Sequence, residues 1–252
     1  MVLPALDWIL YSDDALLAVN KPAGLPALPD GYNPEAPHLK RLLEPHYGHL
    51  WIVHRLDRQT SGLMLLARTP QAHRALNDQF QFHQVNKTYH ALIVGDPLWD
   101  ETVIDLPLRP DGDRKHRTVI DQSRGKPAST HLRLLERFGR FSLVEAAPRT
   151  GRTHQLRAHL SAEGYPIVCD SLYGGGQRLV TSPHAAGSGG SAAAGAGLLE
   201  RMGLHAWSLE FQHPVTRSDM RLQAPYPSDF ERTLEILRQT PPAMLELIAS
   251  PR

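Results

Sequence analysis

The apolar runs of this chain are short, and turn residues stop most of them. Ala15 to Leu25 (ALLAVNKPAGL) is halted by Pro22 and Gly24, which fits a buried strand entering a turn. Leu50 to Val53 (LWIV) runs straight into His54-Arg55-Leu56-Asp57, and Leu63 to Ala67 (LMLLA) follows the Thr60-Ser61-Gly62 turn as a central strand. Thr88 to Val94 (TYHALIV) ends at Gly95, and alternation in Ser129 to Glu136 and in Phe141 to Ala147 predicts strands exposed on one face. Helical signals are fewer. Thr69 reads as an N-cap with Pro70 at the first helical position, and Ala72, Ala75, Leu76 and Phe80 follow at helical spacing. A second helix is predicted from near Thr153 to Gly164, and a third after a Ser228/Glu231 capping-box pattern, running out before Pro241. Many short strands with few, irregularly spaced helices predict an α+β domain rather than a doubly wound parallel sheet.

At 252 residues a folded chain buries roughly 70–75% of the surface that its unfolded form exposes, so one domain, or at most two, can build a core without staples. The single cysteine, Cys169, excludes an internal disulfide and reads as a small packing residue. With 41% hydrophobic and 21% charged residues, disordered, collagenous and coiled-coil classes drop out. No apolar stretch approaches the roughly 20 residues of a membrane helix, and the start MVLPALDWIL lacks the basic region of a signal peptide. The expectation is a soluble, cytoplasmic protein without membrane partners. Between Gly174 and Gly197 a Gly/Ala/Ser-rich stretch, densest over 182–197, is expected to be a mobile loop.

Charge is nearly balanced, 27 basic against 26 acidic residues, yet the basic ones are 22 Arg and 5 Lys. Arg offers a planar fork that suits phosphates and base edges. From Arg109 to Lys126 there are six basic residues (Arg109, Arg114, Lys115, Arg117, Arg124, Lys126) against three acids, and from Arg149 to His159 three Arg and no acid. Two such runs in a neutral chain predict a basic stripe. Phosphate-cradling GxxxxGK[ST], GxSxG and HExxH patterns are all missing, and the 14 histidines lack metal-ligand spacing, so no metal is expected.

The informative segment is His54-Arg55-Leu56-Asp57-Arg58-Gln59-Thr60-Ser61-Gly62-Leu63, a carboxylate between two guanidiniums just before a turn. A neighbouring cation can lower a carboxylate pKa by roughly 1–3 units and keep it ionised for chemistry. Together with Asn20-Lys21-Pro22-Ala23-Gly24-Leu25, Lys87-Thr88-Tyr89 and Arg149-Thr150-Gly151-Arg152-Thr153-His154-Gln155-Leu156-Arg157-Ala158-His159, it resembles the RluA family of RNA pseudouridine synthases, in the same order along the chain. Similarity runs from about Trp8 to Pro225 and looks closest to short, single-domain members that modify both ribosomal RNA and tRNA.

The resemblance implies a mixed, largely antiparallel central sheet flanked by helices and loops with an RNA-binding cleft. It implies a catalytic domain over 1–227, with 228–252 as a helical tail and no room for a separate RNA-binding domain in front. Asp57 matches the essential aspartate, acting as nucleophile or base at C1′, C2′ or C6; Tyr89 matches the tyrosine that stacks on the base; Arg157 matches the arginine that ion-pairs with the aspartate. Arg55 matches an arginine that fills the space left by the flipped nucleotide. Pocket or phosphate contacts fall to His54, Thr60, Arg152 and His154, and the basic run adds Arg114, Lys115 and Arg117. The partner expected is ribosomal RNA and/or a tRNA loop or stem-loop, met by a monomer that needs no cofactor, because the isomerisation is redox-neutral and transfers no group. Base flipping is required, since N1 and C5 cannot exchange inside a stack. Two other classes fit less well. A noncatalytic RNA-binding or ribosome-assembly factor on the same fold would use the basic runs alone, and a glycosidase would need a second carboxylate that the motifs do not supply.

Overall fold

The computed structural model describes residues 5–248, apart from 30–32, 34, 175, 177 and 182–196. In chain order these form β1 (Ile9–Ser12), β2 (Leu16–Lys21), α1 (Leu39–Tyr47), β3 (Trp51–Ile52), β4 (Ser61–Ala67), α2 (Pro70–Gln81) and β5 (Asn86–Val94). There follow β6 (Glu101–Asp105), β7 (Leu108–Arg109), β8 (Val119–Ile120), β9 (Ser129–Arg137), β10 (Phe141–Pro148), α3 (Gln155–Ala162), β11 (Arg178–Thr181) and β12 (Gly197–Leu199). Last come β13 (Leu204–Gln212), β14 (Asp219–Gln223), α4 (Ser228–Gln239) and β15 (Leu245–Ile248). They sort into two units, Met1–Tyr89 with His205–Tyr226 and His90–Leu204 with Pro227–Arg252.

In the first unit β4 is buried along its whole length, as its continuous apolar run predicts. Its side chains alternate between two cores. Leu63, Leu65 and Ala67 join Leu16 and Ala18 of β2 under α2, whose Ala72 and Leu76 face them. Met64 and Leu66 join Leu17 and Val19 under α1, whose Leu39 and Leu43 close that side. β2 and β3 both pair with β4 antiparallel, β1 with β2 likewise, and β13 joins β4 in parallel at His205↔Ser61. The Thr69 cap forms as expected, its side chain accepting from the Ala72 amide at 3.1 Å. LWIV yields only the two-residue β3, because the next turn starts at once. Helix α1 carries Pro45 inside a nine-residue span, and that proline hides its helical pattern in the sequence.

In the second unit the order is β5, β10, β9, β6, with β9 antiparallel to both β10 and β6. β7 and β8 make a small hairpin that carries the basic run, and β11 lies between β12 and β15. Mixed, mostly antiparallel pairing with four α-helices among the described residues is the α+β class expected. Three local readings are corrected. Helix α3 starts at Gln155 rather than near Thr153, because His154 sits at φ 52, a left-handed conformation outside the helix. The capping box at Ser228 does not form: Pro227 is the cap residue without a side-chain bond, and Ser228 is already helical. The tail beyond Pro241 adds strand β15, not helix alone. Except for Gly197, the predicted loop at 182–197 lies outside the described residues.

Since β4 anchors both cores, truncating it costs more than any surface change. Leu66→Ala, at a fully buried position, is expected to lower unfolding free energy by about 2–5 kcal/mol in urea titration. Leu98→Ala, at a side chain 98% exposed, is expected to stay within about 0.5 kcal/mol. Equal midpoints for the two variants would refute the packing described.

Candidate active site

The turn that carries Asp57 is gripped from beneath. Leu56 drops into the core shared by Met64 and Leu66, leaving Arg55 exposed and Asp57 half-buried. The Thr60 amide donates to the Asp57 carbonyl at 3.1 Å, and Thr60 itself is buried. Lys21, fully buried, donates its ammonium to the carbonyls of Pro22 and Leu25 at 2.9 Å and of Arg58 at 3.3 Å. The Gly24 amide donates to the same Arg58 carbonyl at 2.7 Å, and Arg58 Nε returns a bond to the Gly24 carbonyl at 2.9 Å. Asn20-Lys21-Pro22 and the segment around Asp57, 37 residues apart, thus form one construction.

Behind the turn, Ser61 Oγ bonds His205 Nδ1 at 2.9 Å, and His205 Nε2 reaches the Ala224 carbonyl at 3.1 Å; both Ser61 and His205 are buried. Gly62, at φ +114, lies so close to β13 that a Cβ would clash with the carbonyl oxygen of Ala206. Only glycine fits there.

Tyr89 is half-buried at the end of the first unit and packs against the core of Leu56 and Met64. Its phenol pKa is raised, first by burial and then by the negative charge of Asp57. The phenol is therefore a neutral hydrogen-bond donor at physiological pH, within electrostatic reach of the carboxylate. Lys87, two residues before it, is half-buried and its ammonium pKa is lowered by that enclosure. His54 does not offer a free ring to a ligand. Its Nε2 accepts from the Leu65 amide at 2.9 Å and its ring stacks on Phe80 at 4.5 Å. Burial, with Lys87's charge adding, pushes its pKa down to about 3, so it stays neutral and fastens the turn to β4.

The second unit holds the other arginines. Arg157 Nε and Nη2 donate to the buried Asp170 carboxylate at 2.7 and 2.9 Å, and the guanidinium lies 4.8 Å from the Tyr173 ring centroid. Such bidentate pairs fix orientation as well as charge. His154 Nδ1 meets the Tyr173 hydroxyl at 3.0 Å. Arg152 is half-buried, its Nε donating to the Pro127 carbonyl at 3.1 Å. On the hairpin, Arg114 and Lys115 are exposed, whereas Arg117 Nε donates to Asp113 at 2.7 Å and Arg109 to Asp121 at 2.6 Å. Acids of the same hairpin therefore neutralise two of its six basic residues.

Sequence reasoning gave no role to Lys21, Asp170 or Tyr173. The signal for Lys21 was a lone cation at the end of an apolar run; Asp170 and Tyr173 carried only the spacing Asp-x-x-Tyr. Among the described residues no group of three or more His, Cys, Asp or Glu could hold a metal ion, and no helix is long and apolar enough to cross a membrane.

Residues 15–162 match the family described as RNA pseudouridylate synthase. The chain is 39% identical over 245 residues to ribosomal large subunit pseudouridine synthase D of Xanthomonas campestris, covering 95% of this chain and 72% of that protein. To ribosomal large subunit pseudouridine synthase C of Vibrio vulnificus it is 36% identical over 234 residues, 92% and 70% of the two chains. Among solved structures, human RNA pseudouridylate synthase domain containing 4 superposes with a TM-score of 0.70 at 28% identity, over 96% of each chain. Sequence motifs, fold and relatives agree along most of its length, and the chain belongs to the RluA family of RNA pseudouridylate synthases.

Proposed function

We propose that this pseudouridine synthase isomerises uridines of large-subunit ribosomal RNA, with Asp57 as its essential carboxylate. The observation that carries the assignment is the pairing of a half-buried Asp57, on a turn clamped by Lys21, with the neutral phenol of Tyr89 that feels its charge. The names of the relatives, ribosomal large subunit synthases C and D, support the choice of RNA; a tRNA stem-loop is the second substrate to test.

The reaction breaks the N1–C1′ bond, turns the base and joins C5 to C1′, after which the C5 proton leaves. The C5 proton passes to a base and N1, released from the sugar, takes up a proton, so no net proton, electron or group is exchanged and no cofactor is needed. An ionised Asp57 supplies the nucleophile or base, at C1′, C2′ or C6. Tyr89 offers an aromatic face, and stacking of this kind contributes about 1–3 kcal/mol per base. Extrusion of the uridine precedes chemistry, and exposed Arg55, two residues from Asp57, is suited to occupy the gap. Arg157, oriented by Asp170, completes the proposed catalytic set. Arg114 and Lys115 would contact phosphates, with Arg117 supporting the hairpin from Asp113. Arg152 and His154 would line the RNA path, while His54 and Thr60 shape the turn from within. A cytoplasmic monomer is the form proposed to act.

Two outcomes are expected. Asp57→Asn lowers tritium release from C5-labelled ribosomal RNA transcripts by at least about 10²–10⁴-fold, with unfolding midpoint unchanged; full activity in that variant removes Asp57 from the chemistry. Arg114→Ala and Lys115→Ala each weaken RNA binding and reduce the salt slope of log K by about 1, measured by filter binding across salt concentrations. An unaltered slope would take the hairpin out of the RNA interface.

A further inference from the structure

Tyr173 is buried at 5% exposure, and the polar groups around it come from two places. From the hairpin, the Thr118 amide donates to its hydroxyl at 2.7 Å. From the start of α3, His154 Nδ1 meets the same hydroxyl at 3.0 Å, the two rings standing at 90°. A phenol has one proton to give and lone pairs to accept with. Accepting from Thr118 and donating to His154 satisfies all three groups at once, and it leaves the His154 proton on Nε2.

The ring has a second task. The Arg157 guanidinium lies 4.8 Å from its centroid, and Arg117 of the hairpin 6.0 Å. Asp170 Oδ1 accepts from the Leu172 and Tyr173 amides at 3.2 and 3.3 Å while the carboxylate holds Arg157 in a fork. One turn further along α3, Ser161 Oγ donates to the Tyr173 carbonyl at 2.7 Å. Thr118 Oγ1 closes the circuit by donating to the Thr153 carbonyl at 2.9 Å. Leu108 and Ala128 at the hairpin's foot and Ala158 of α3 pack on the same ring.

From this arrangement we infer that Tyr173 is a positioning residue: its ring sets the Arg157 guanidinium, and its hydroxyl ties the foot of the RNA-contacting hairpin to the helix that carries Arg157. The inference rests on the proposed roles of Arg157 in catalysis and of Arg114 and Lys115 in RNA contact. The two functions of Tyr173 are separable by substitution. Phenylalanine keeps the ring over Arg157 and deletes both hydroxyl bonds. Leucine deletes the platform as well.

The test uses the full chain with a large-subunit ribosomal RNA transcript, reading kcat and KM by tritium release. Tyr173→Phe is expected to raise KM for RNA about 3–10-fold, the size of a lost hydrogen bond, with kcat within about twofold. A purely structural loss would do the reverse, lowering kcat through the fraction folded and leaving KM alone; that split, or wild-type values for both, overturns the inference. Tyr173→Leu is expected to lower kcat about tenfold, and the double variant Tyr173→Leu/Arg157→Lys should be no slower than Arg157→Lys, because both act on one group. Multiplicative losses would overturn the positioning role. If Arg157→Lys alone keeps full kcat, the proposed catalytic role of Arg157 fails instead, and is told apart by that single variant. Should Tyr173→Leu not fold, the KM-against-kcat split of Tyr173→Phe decides.

Discussion

A buried ammonium is the interaction on which the candidate site depends. Lys21 is wholly enclosed at the end of β2, and its charge is compensated by three backbone carbonyls from two separate loops. Taking a charge out of water costs far more than one hydrogen bond returns, so the arrangement holds only while all three acceptors stay in place. Both loops are thereby immobilised together. The chain from Pro22 to Leu25 cannot shift without exposing the ammonium, and neither can Arg58, the residue next to Asp57. The carboxylate proposed to act on a single atom of a nucleoside would need that degree of fixation, since small displacements of a reacting group cost large factors in rate. Lysine suits the position because its three donors sit on one compact nitrogen, whereas the planar arginine fork would not fit three carbonyls converging from different directions.

What holds Lys21 is in turn held by β4. Alternate side chains of that strand fill two cores, so the turn before it has no face on which to slip. Ser61 and Gly62, the first two residues of the strand, are locked to β13 by the His205 bond and by a backbone approach that excludes any Cβ. His54 adds a ring bonded to the Leu65 amide. The motif around Asp57 is thus mainly a set of anchors with one carboxylate displayed between them, which explains why several of its polar residues are buried rather than available to RNA.

Much of this was legible in the sequence where local chemistry decides the outcome. Thr69-Pro70 announces α2, and the LMLLA run announces a strand buried on both faces. Readings failed where a neighbour overrode the local signal. Pro227 displaced Ser228 from the cap, and the left-handed His154 delayed α3, its ring drawn to the hydroxyl of Tyr173, 19 residues further along the chain. The pairing of Asp170 with Arg157 was equally hidden, because nothing in a spacing of 13 residues says that a loop will fold back onto a helix. Order of motifs identified the chemistry, while long-range packing assigned the partners.

The arginine excess also takes on a physical meaning. Arg109, Arg117, Arg133, Arg137, Arg157, Arg201 and Arg238 each engage a carboxylate of their own unit, several of them with two nitrogens. A planar fork is what such pairs require, so much of the Arg usage serves internal fastening. An ion pair is close to a dipole, and its field fades over a distance comparable to the screening length of about 8–10 Å. An approaching polyanion therefore senses exposed cations outside such pairs, among them Arg55, Arg58, Arg114, Lys115, Arg124, Lys126 and Arg149, more strongly than the total of +1 suggests. Counting charges along the chain overstated the hairpin, where acids cancel Arg109 and Arg117, and understated the turn at Asp57, where two exposed arginines flank the one carboxylate on which the proposed chemistry depends.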